Sequence, residues 1–182
     1  MANGIIPYAP TTHLNEITCK VYFQALSWTV TAGSWSVSNG KLQANQNGSH
    51  IYYKQAFQSP NRHVAADIQT TYTGGGANVP MLMVNEVSAS NMIYADIRPD
   101  GTVELVIFYN GFPTVWTAPS TLNLYNSNRI AVTITGTNAK VYVNKQLYID
   151  ATNNNFANIT NGWAGFYTYG SRGTLGNLTV IT

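Results

Sequence analysis

The chain is poor in charge. Lys, Arg, Asp and Glu supply 9% of its 182 residues, against roughly 25% in an average soluble domain. Its surface must be covered instead by Asn, Thr, Ser, Gly and Tyr, a composition that suits assembly or sugar binding because little charge has to be desolvated. Net charge is +2 and no run of Lys or Arg occurs. Phosphate backbones need a clustered basic footprint, so no nucleic-acid partner is expected. No apolar stretch approaches the ~20 residues that cross a bilayer, and no membrane partner is expected either. The segment after Met1 lacks the basic and then apolar regions of a secretory leader, which fits a removed leader or release by another route.

Cysteine is nearly absent. Cys19 stands alone, so no intrachain disulfide can form, and its Val-Tyr-Phe neighbourhood fits a small buried hydrophobe. The histidines His13, His50 and His63 are scattered without ligand spacing, and no zinc pattern exists. Helical periodicity is missing as well.

What the chain does have is alternation. From Trp28 onward apolar residues recur with period two, bounded by turn signals every 8–12 residues, and this predicts roughly eleven to thirteen short strands. Asn39-Gly40 and Asn110-Gly111 read as tight hairpin turns, and Asn144-Lys145 is read as a further turn. His50–Phe57 and His63–Tyr72 read as strands, the latter ended by Gly74-Gly75-Gly76. Met81–Val87 is apolar on both faces and predicts a strand in the middle of a sheet. Thr152–Asn161 reads as a long Asn-rich loop. The fold class expected is all-β, an antiparallel two-sheet β-sandwich of the jelly-roll kind. Residues 1–24, broken by Gly4, Pro7 and Pro10, read as an N-terminal arm, and residues 25–182 as the sandwich domain.

Several stretches carry a family resemblance. Trp35–Ala44, Asn91–Leu105, Arg129–Asp150, Gly162–Tyr169 and Leu175–Val180 resemble the strands of the concanavalin A-like lectin/glucanase superfamily, which includes laminin G-like modules. The resemblance implies two curved antiparallel sheets, with ligands held on the concave face or at loop ends. It does not imply an activity, because the matching motifs are structural and the superfamily includes lectins, glycosidases and virion proteins.

Catalytic machinery is hard to assemble from these residues. The glucanases of this superfamily place carboxylates as Glu-x-Asp-x-x-Glu on one strand, and no such motif occurs here. One pair stands out. If Pro99-Asp100-Gly101 forms a three-residue loop, Ile97 pairs with Val103, Ala95 with Leu105 and Ile93 with Ile107, a register that buries one uniform apolar face. Asp96 then lies opposite Glu104 on the other face. Cross-strand Cβ atoms sit ~5 Å apart, close to the ~5–5.5 Å between the carboxyls of retaining glycosidases. Arg98, two residues from Asp96, is placed to neutralise the pair. The reading is therefore a polar network rather than an active site, and the chain is expected not to be an enzyme. No cofactor is expected, and calcium at the acidic pair is the one metal left open.

Aromatic rings stack on the apolar faces of sugars while amides and hydroxyls take their hydroxyl groups. The chain has 12 Tyr and 4 Trp. Trp28, Trp35 and Trp163 are expected in the core. Tyr52, Tyr94, Trp116, Tyr167 and Tyr169 sit where the alternation can turn them outward. Tyr94, Asp96, Arg98 and Trp116 form the expected carbohydrate-binding patch.

The expected partners are a glycan or cell-surface polysaccharide and other structural protein subunits, in a homo-oligomer or assembly. The expected location is extracellular or on a virion surface, as a decoration, tail or adhesion protein. The alternatives are a secreted bacterial carbohydrate-binding module and a small glycoside hydrolase using Asp96 and Glu104.

Overall fold

Left-handed backbone at paired turn positions marks the hairpins. Asn39 and Gly40 have φ of 50° and 70°, Asn110 and Gly111 52° and 84°, and Asn144 and Lys145 50° and 74°. Two successive positive φ values match the right-handed twist of the strands they join, which is why Asn-Gly is favoured there. A computed structural model describes residues 28–53, 58–74 and 78–182. The expected N-terminal arm, Cys19 and His13 lie outside the described residues, as do the last four residues of the expected strand His50–Phe57.

The described residues form fourteen strands. They are β1 (Trp28–Ala32), β2 (Trp35–Ser38), β3 (Lys41–Ala44), β4 (Ser49–Tyr53), β5 (Arg62–Thr73), β6 (Pro80–Ser88) and β7 (Asn91–Ile97). Then follow β8 (Val103–Tyr109), β9 (Phe112–Ala118), β10 (Asn128–Thr135), β11 (Asn138–Val143), β12 (Gln146–Thr152), β13 (Trp163–Thr168) and β14 (Ser171–Ile181). The Asn-rich loop carries a single helical turn, α1 (Asn155–Asn158), which alternation cannot reveal. It buries Phe156 completely.

The strands make two seven-stranded sheets, ordered β1-β4-β13-β6-β7-β8-β9 and β12-β11-β10-β5-β14-β3-β2. Every pairing is antiparallel. Hairpins build the runs β6-β7-β8-β9 and β10-β11-β12, while β13 and β14 return late in the chain to fill gaps in opposite sheets. β6 lies between β13 and β7, the central place its two-sided apolar pattern predicts.

The core lies between the sheets. Val64, Ala66, Ile130, Val132 and Leu175 from one sheet meet Leu82, Ile93, Leu105, Ile107 and Phe166 from the other. A fully buried side chain of this size contributes about 1.5–3 kcal/mol. Arg62 is out of keeping with this core. It pairs with Ile134 at the start of β5 and is 1% exposed. Its Nη1 donates to the Ser59 carbonyl at 3.2 Å, while Nε and Nη2 have no hydrogen-bond partner among the described residues.

Candidate functional site on the outer face of the first sheet

Pleating sends alternate residues of β4, β13, β6, β7 and β8 away from the core. The paired positions Tyr52, Gly165, Met83, Tyr94, Val106 and Val115 form one row across this outer face. A neighbouring row holds His50, Tyr167 and Met81 at one side and Asp96, Glu104 and Thr117 at the other. Trp163 and Glu86 pair beyond Gly165.

The Asp96–Glu104 pairing has the register expected from the sequence. The turn is closed by Arg98 N–H donating to the Thr102 carbonyl and Gly101 N–H to the Arg98 carbonyl. Gly101 supplies the required positive φ of 88°. Arg98 Nη2 donates to Glu104 Oε1, and its Nε lies 3.4 Å from Asp96 Oδ1. That last contact is an ion pair out of hydrogen-bond alignment, and neither Asp96 oxygen has a hydrogen-bond partner among the described residues. Asp96 is fully buried although it points away from the core. Burial first, with Glu104 adding to it against the pull of Arg98, pushes its carboxyl up to about 8. Burial, then Asp96 and Glu104, push Tyr94 up to about 12.

Three of the four expected patch residues come together: Tyr94, Asp96 and Arg98. The fourth does not. Trp116 pairs with Leu105, so it points to the core side, where its ring meets Phe156 at 5.3 Å. Pleating gives the reason, since Trp116 shares the parity of Leu105 and Ala95, while Tyr94 and Asp96 have the other.

The aromatic surface is elsewhere on the same face. Tyr52 and Trp163 have centroids 6.0 Å apart, His50 packs on Tyr52 at 4.3 Å and on Tyr167 at 4.8 Å, and Tyr167 meets Tyr169 at 6.1 Å. Trp163 is 39% exposed and Tyr169 57%. Trp28 is buried and Trp35 packs on Phe166 as expected, but the expectation of Trp163 in the core is corrected. A register shift between Trp163 and Gly165 accompanies its outward turn, and Ala164 and Phe166 fill the core instead.

Glu86 sits among these rings, 9% exposed. Its Oε2 is 3.1 Å from His50 Nε2, again without hydrogen-bond alignment. The Tyr52 hydroxyl faces this carboxylate, and burial first, then Glu86, push Tyr52 well above its ordinary range. Gly165 makes room for the cluster, since a Cβ there would overlap the Ile51 carbonyl oxygen and lie 3.0 Å from the Tyr52 ring. Sequence reasoning missed His50, Glu86 and Trp163. The signal was present in the shared parity of residues 50 and 52, and of 163, 165 and 167.

The outer face of the second sheet differs. There Arg129 donates to Asp67 at 3.2 Å, to the Asn177 carbonyl at 2.7 Å and to Thr179 Oγ1 at 3.0 Å, while Asn177 donates to Asp67 at 2.6 Å. These groups satisfy one another across a bulge in β14. Among the described residues no three His, Cys, Asp or Glu side chains are grouped to hold a metal.

No protein-family model matches the sequence, and no curated protein matches it. Solved structures do match. Carbohydrate-binding module CBM66 from Bacillus subtilis superposes with a TM-score of 0.71 at 20% identity, over 86% of this chain and 96% of that one. The fold is that of the concanavalin A-like sandwiches. The β-glucanase of Bacillus licheniformis gives 0.63 at 14% identity, covering 85% and 91% of the two chains. A GH43 protein from the same organism gives 0.69 at 10%, over 97% of this chain but 41% of its own.

These neighbours correct one expectation. The chain was expected not to be an enzyme, yet the glucanase, the GH43 protein and further structures named as hydrolases share its architecture. The fold is one that enzymes use, and by itself it does not separate a binder from a hydrolase.

Proposed function

We propose that this protein binds glycans on the outer face of the sheet β1-β4-β13-β6-β7-β8-β9. One observation carries the reading: Trp163, Tyr52, His50, Tyr167 and Tyr169 form a continuous aromatic surface beside the buried carboxylate of Glu86. Sugar rings stack their C–H faces on such rings, and convergent polar groups fix their orientation. Tyr94, Arg98 and Glu104 extend the polar part of the same face. The names of the structural neighbours, a carbohydrate-binding module and glycan-degrading enzymes among them, support this reading. A secreted or extracellular setting accords with those names. The virion-surface setting and the structural-subunit partners expected from the sequence gain no support from them and form no part of the reading.

A second reading has its own observation. Asp96, pushed up to about 8, faces the Arg98-paired Glu104 across one hairpin. Environments that push two carboxyls apart are how glycosidases obtain a general acid and an ionised partner. In this reading Asp96 donates a proton to the leaving oxygen and Glu104 is the second carboxyl of the pair. Loss of sugar release in Glu104→Gln supports it; unchanged release removes it.

The test of the main reading is a glycan-array screen of the purified chain that includes bacterial surface polysaccharides, repeated with Trp163→Ala. Hits lost in the variant support the proposal. Hits retained in full place the site elsewhere, and a chain that binds no glycan contradicts the reading.

A further inference from the structure

The charge balance around the aromatic surface bears on what kind of glycan fits there. Among the described residues this face carries the carboxyls of Glu86, Asp96 and Glu104 and one guanidinium, Arg98. Arg98 is committed to the hairpin, donating to Glu104 and lying against Asp96. Glu86 has no lysine or arginine partner among the described residues. Its neighbours are the Tyr52 hydroxyl, the His50 imidazole, whose Nε2 is 3.1 Å away but out of line, and the Tyr167 ring.

A carboxylate side chain 12% exposed, with one oxygen lacking a hydrogen bond among the described residues, holds unspent capacity for a donor. Such a group is costly in an unliganded protein, because burial penalises a carboxylate oxygen that lacks an aligned hydrogen-bond donor. The rings around it are of the kind that attract cations through their π faces. Trp163 and Tyr169 keep the surface open to solvent. A donor that is also a cation matches all of these features.

We propose that the glycan bound on this face carries free amino groups, as a deacetylated amino-sugar polymer does, and that Glu86 receives the ammonium among Tyr52, Trp163 and Tyr167. The proposal rests on the glycan-binding reading and narrows it. Uronate-bearing polymers are excluded by the same charge that attracts the amine.

The experiment titrates the full chain by calorimetry with four probes: a fully deacetylated β-1,4-glucosamine oligomer, its N-acetylated counterpart, an uncharged β-glucan oligomer and an oligogalacturonate. The deacetylated oligomer is expected to bind at least tenfold tighter than the acetylated one, and the oligogalacturonate not at all. Glu86→Gln keeps an acceptor for the Tyr52 hydroxyl, so it should erase the tenfold preference while its thermal midpoint stays close to that of the parent. Equal affinity for acetylated and deacetylated oligomers overturns the inference, as does a preference that survives in Glu86→Gln. If uncharged glycans bind without an amine preference, the inference fails while the glycan-binding reading stands. If none of the four binds, this inference fails, and the array screen then decides the broader reading.

Discussion

Asp96 and Glu104 face each other across the β7–β8 hairpin, and one arginine, Arg98, contacts both. Two carboxyls so placed do not ionise alike. Asp96 is the more buried and is pushed up to about 8, far above the ~4 of a carboxyl in an unfolded chain. Between about pH 4 and about 8 the folded protein therefore holds a proton that the unfolded chain has released. Stability is expected to be highest at the low end of that window and to fall as pH rises through it. Urea midpoints measured at pH 5 and pH 8 should show the fall in the parent and a much flatter response in Asp96→Asn. A parent whose midpoint rises from pH 5 to pH 8 contradicts the assignment.

Trp116 separates packing from binding. Its ring lies on Phe156 at the core side of β9, so Trp116→Ala removes packing that α1 depends on. Full truncation of a buried aromatic costs about 3–5 kcal/mol, and a partly exposed one less, so about 2–3 kcal/mol is expected here. Chemical denaturation measures the loss, and glycan affinity below the transition should be unchanged. Affinity lost without loss of stability would return Trp116 to the binding patch.

Gly165 is required by the close approach of β4. Gly165→Ala puts a methyl group into the Ile51 carbonyl and against the Tyr52 ring. Forcing extra volume into a packed site costs about 1–3 kcal/mol. The displaced Tyr52 should also weaken binding, so thermal midpoint and affinity fall together. A variant as stable as the parent, with intact binding, would show that the two strands are not so closely apposed.

Arg62 gives the opposite sign. Its guanidinium is buried with two nitrogens unpartnered among the described residues, and burial lowers it to about 10. Arg62→Met keeps most of the side-chain volume and removes the desolvated charge, at the loss of one hydrogen bond to Ser59. A gain of about 1–2 kcal/mol in unfolding free energy is expected. A loss of similar size would mean that an anion or carbonyl satisfies the group in solution.

The fold and this site were not equally legible in the sequence. Asn39-Gly40 and Asn110-Gly111 announce their hairpins through the φ values they permit, and the apolar parity of Ile93, Ala95 and Ile97 sets the register that brings Asp96 to Glu104. Local rules suffice for such features, because each depends on residues a few positions apart. Placing Trp116 required knowing which parity of β9 faces the core, and its exposed neighbours Val115 and Phe112 obscured that. His50, Glu86 and Trp163 lie on β4, β6 and β13, strands distant in sequence and joined only by the late return of β13 between the other two. A cluster made by sheet order has no local signature. The one-turn α1 escaped for another reason: Asn-rich segments read as loops, and only the burial of Phe156 reveals the turn.

The proposed glycan site lies on the outer face of the first sheet. The most direct measurement compares two tyrosines on opposite outer faces by calorimetric titration with a glycan hit. Tyr167 belongs to the aromatic surface, whereas Tyr142 lies on β11 in the second sheet, paired with Ala131. Tyr167→Ala is expected to lose at least tenfold in affinity while Tyr142→Ala binds as the parent does. Equal affinity in both variants, or a loss confined to Tyr142→Ala, would contradict it.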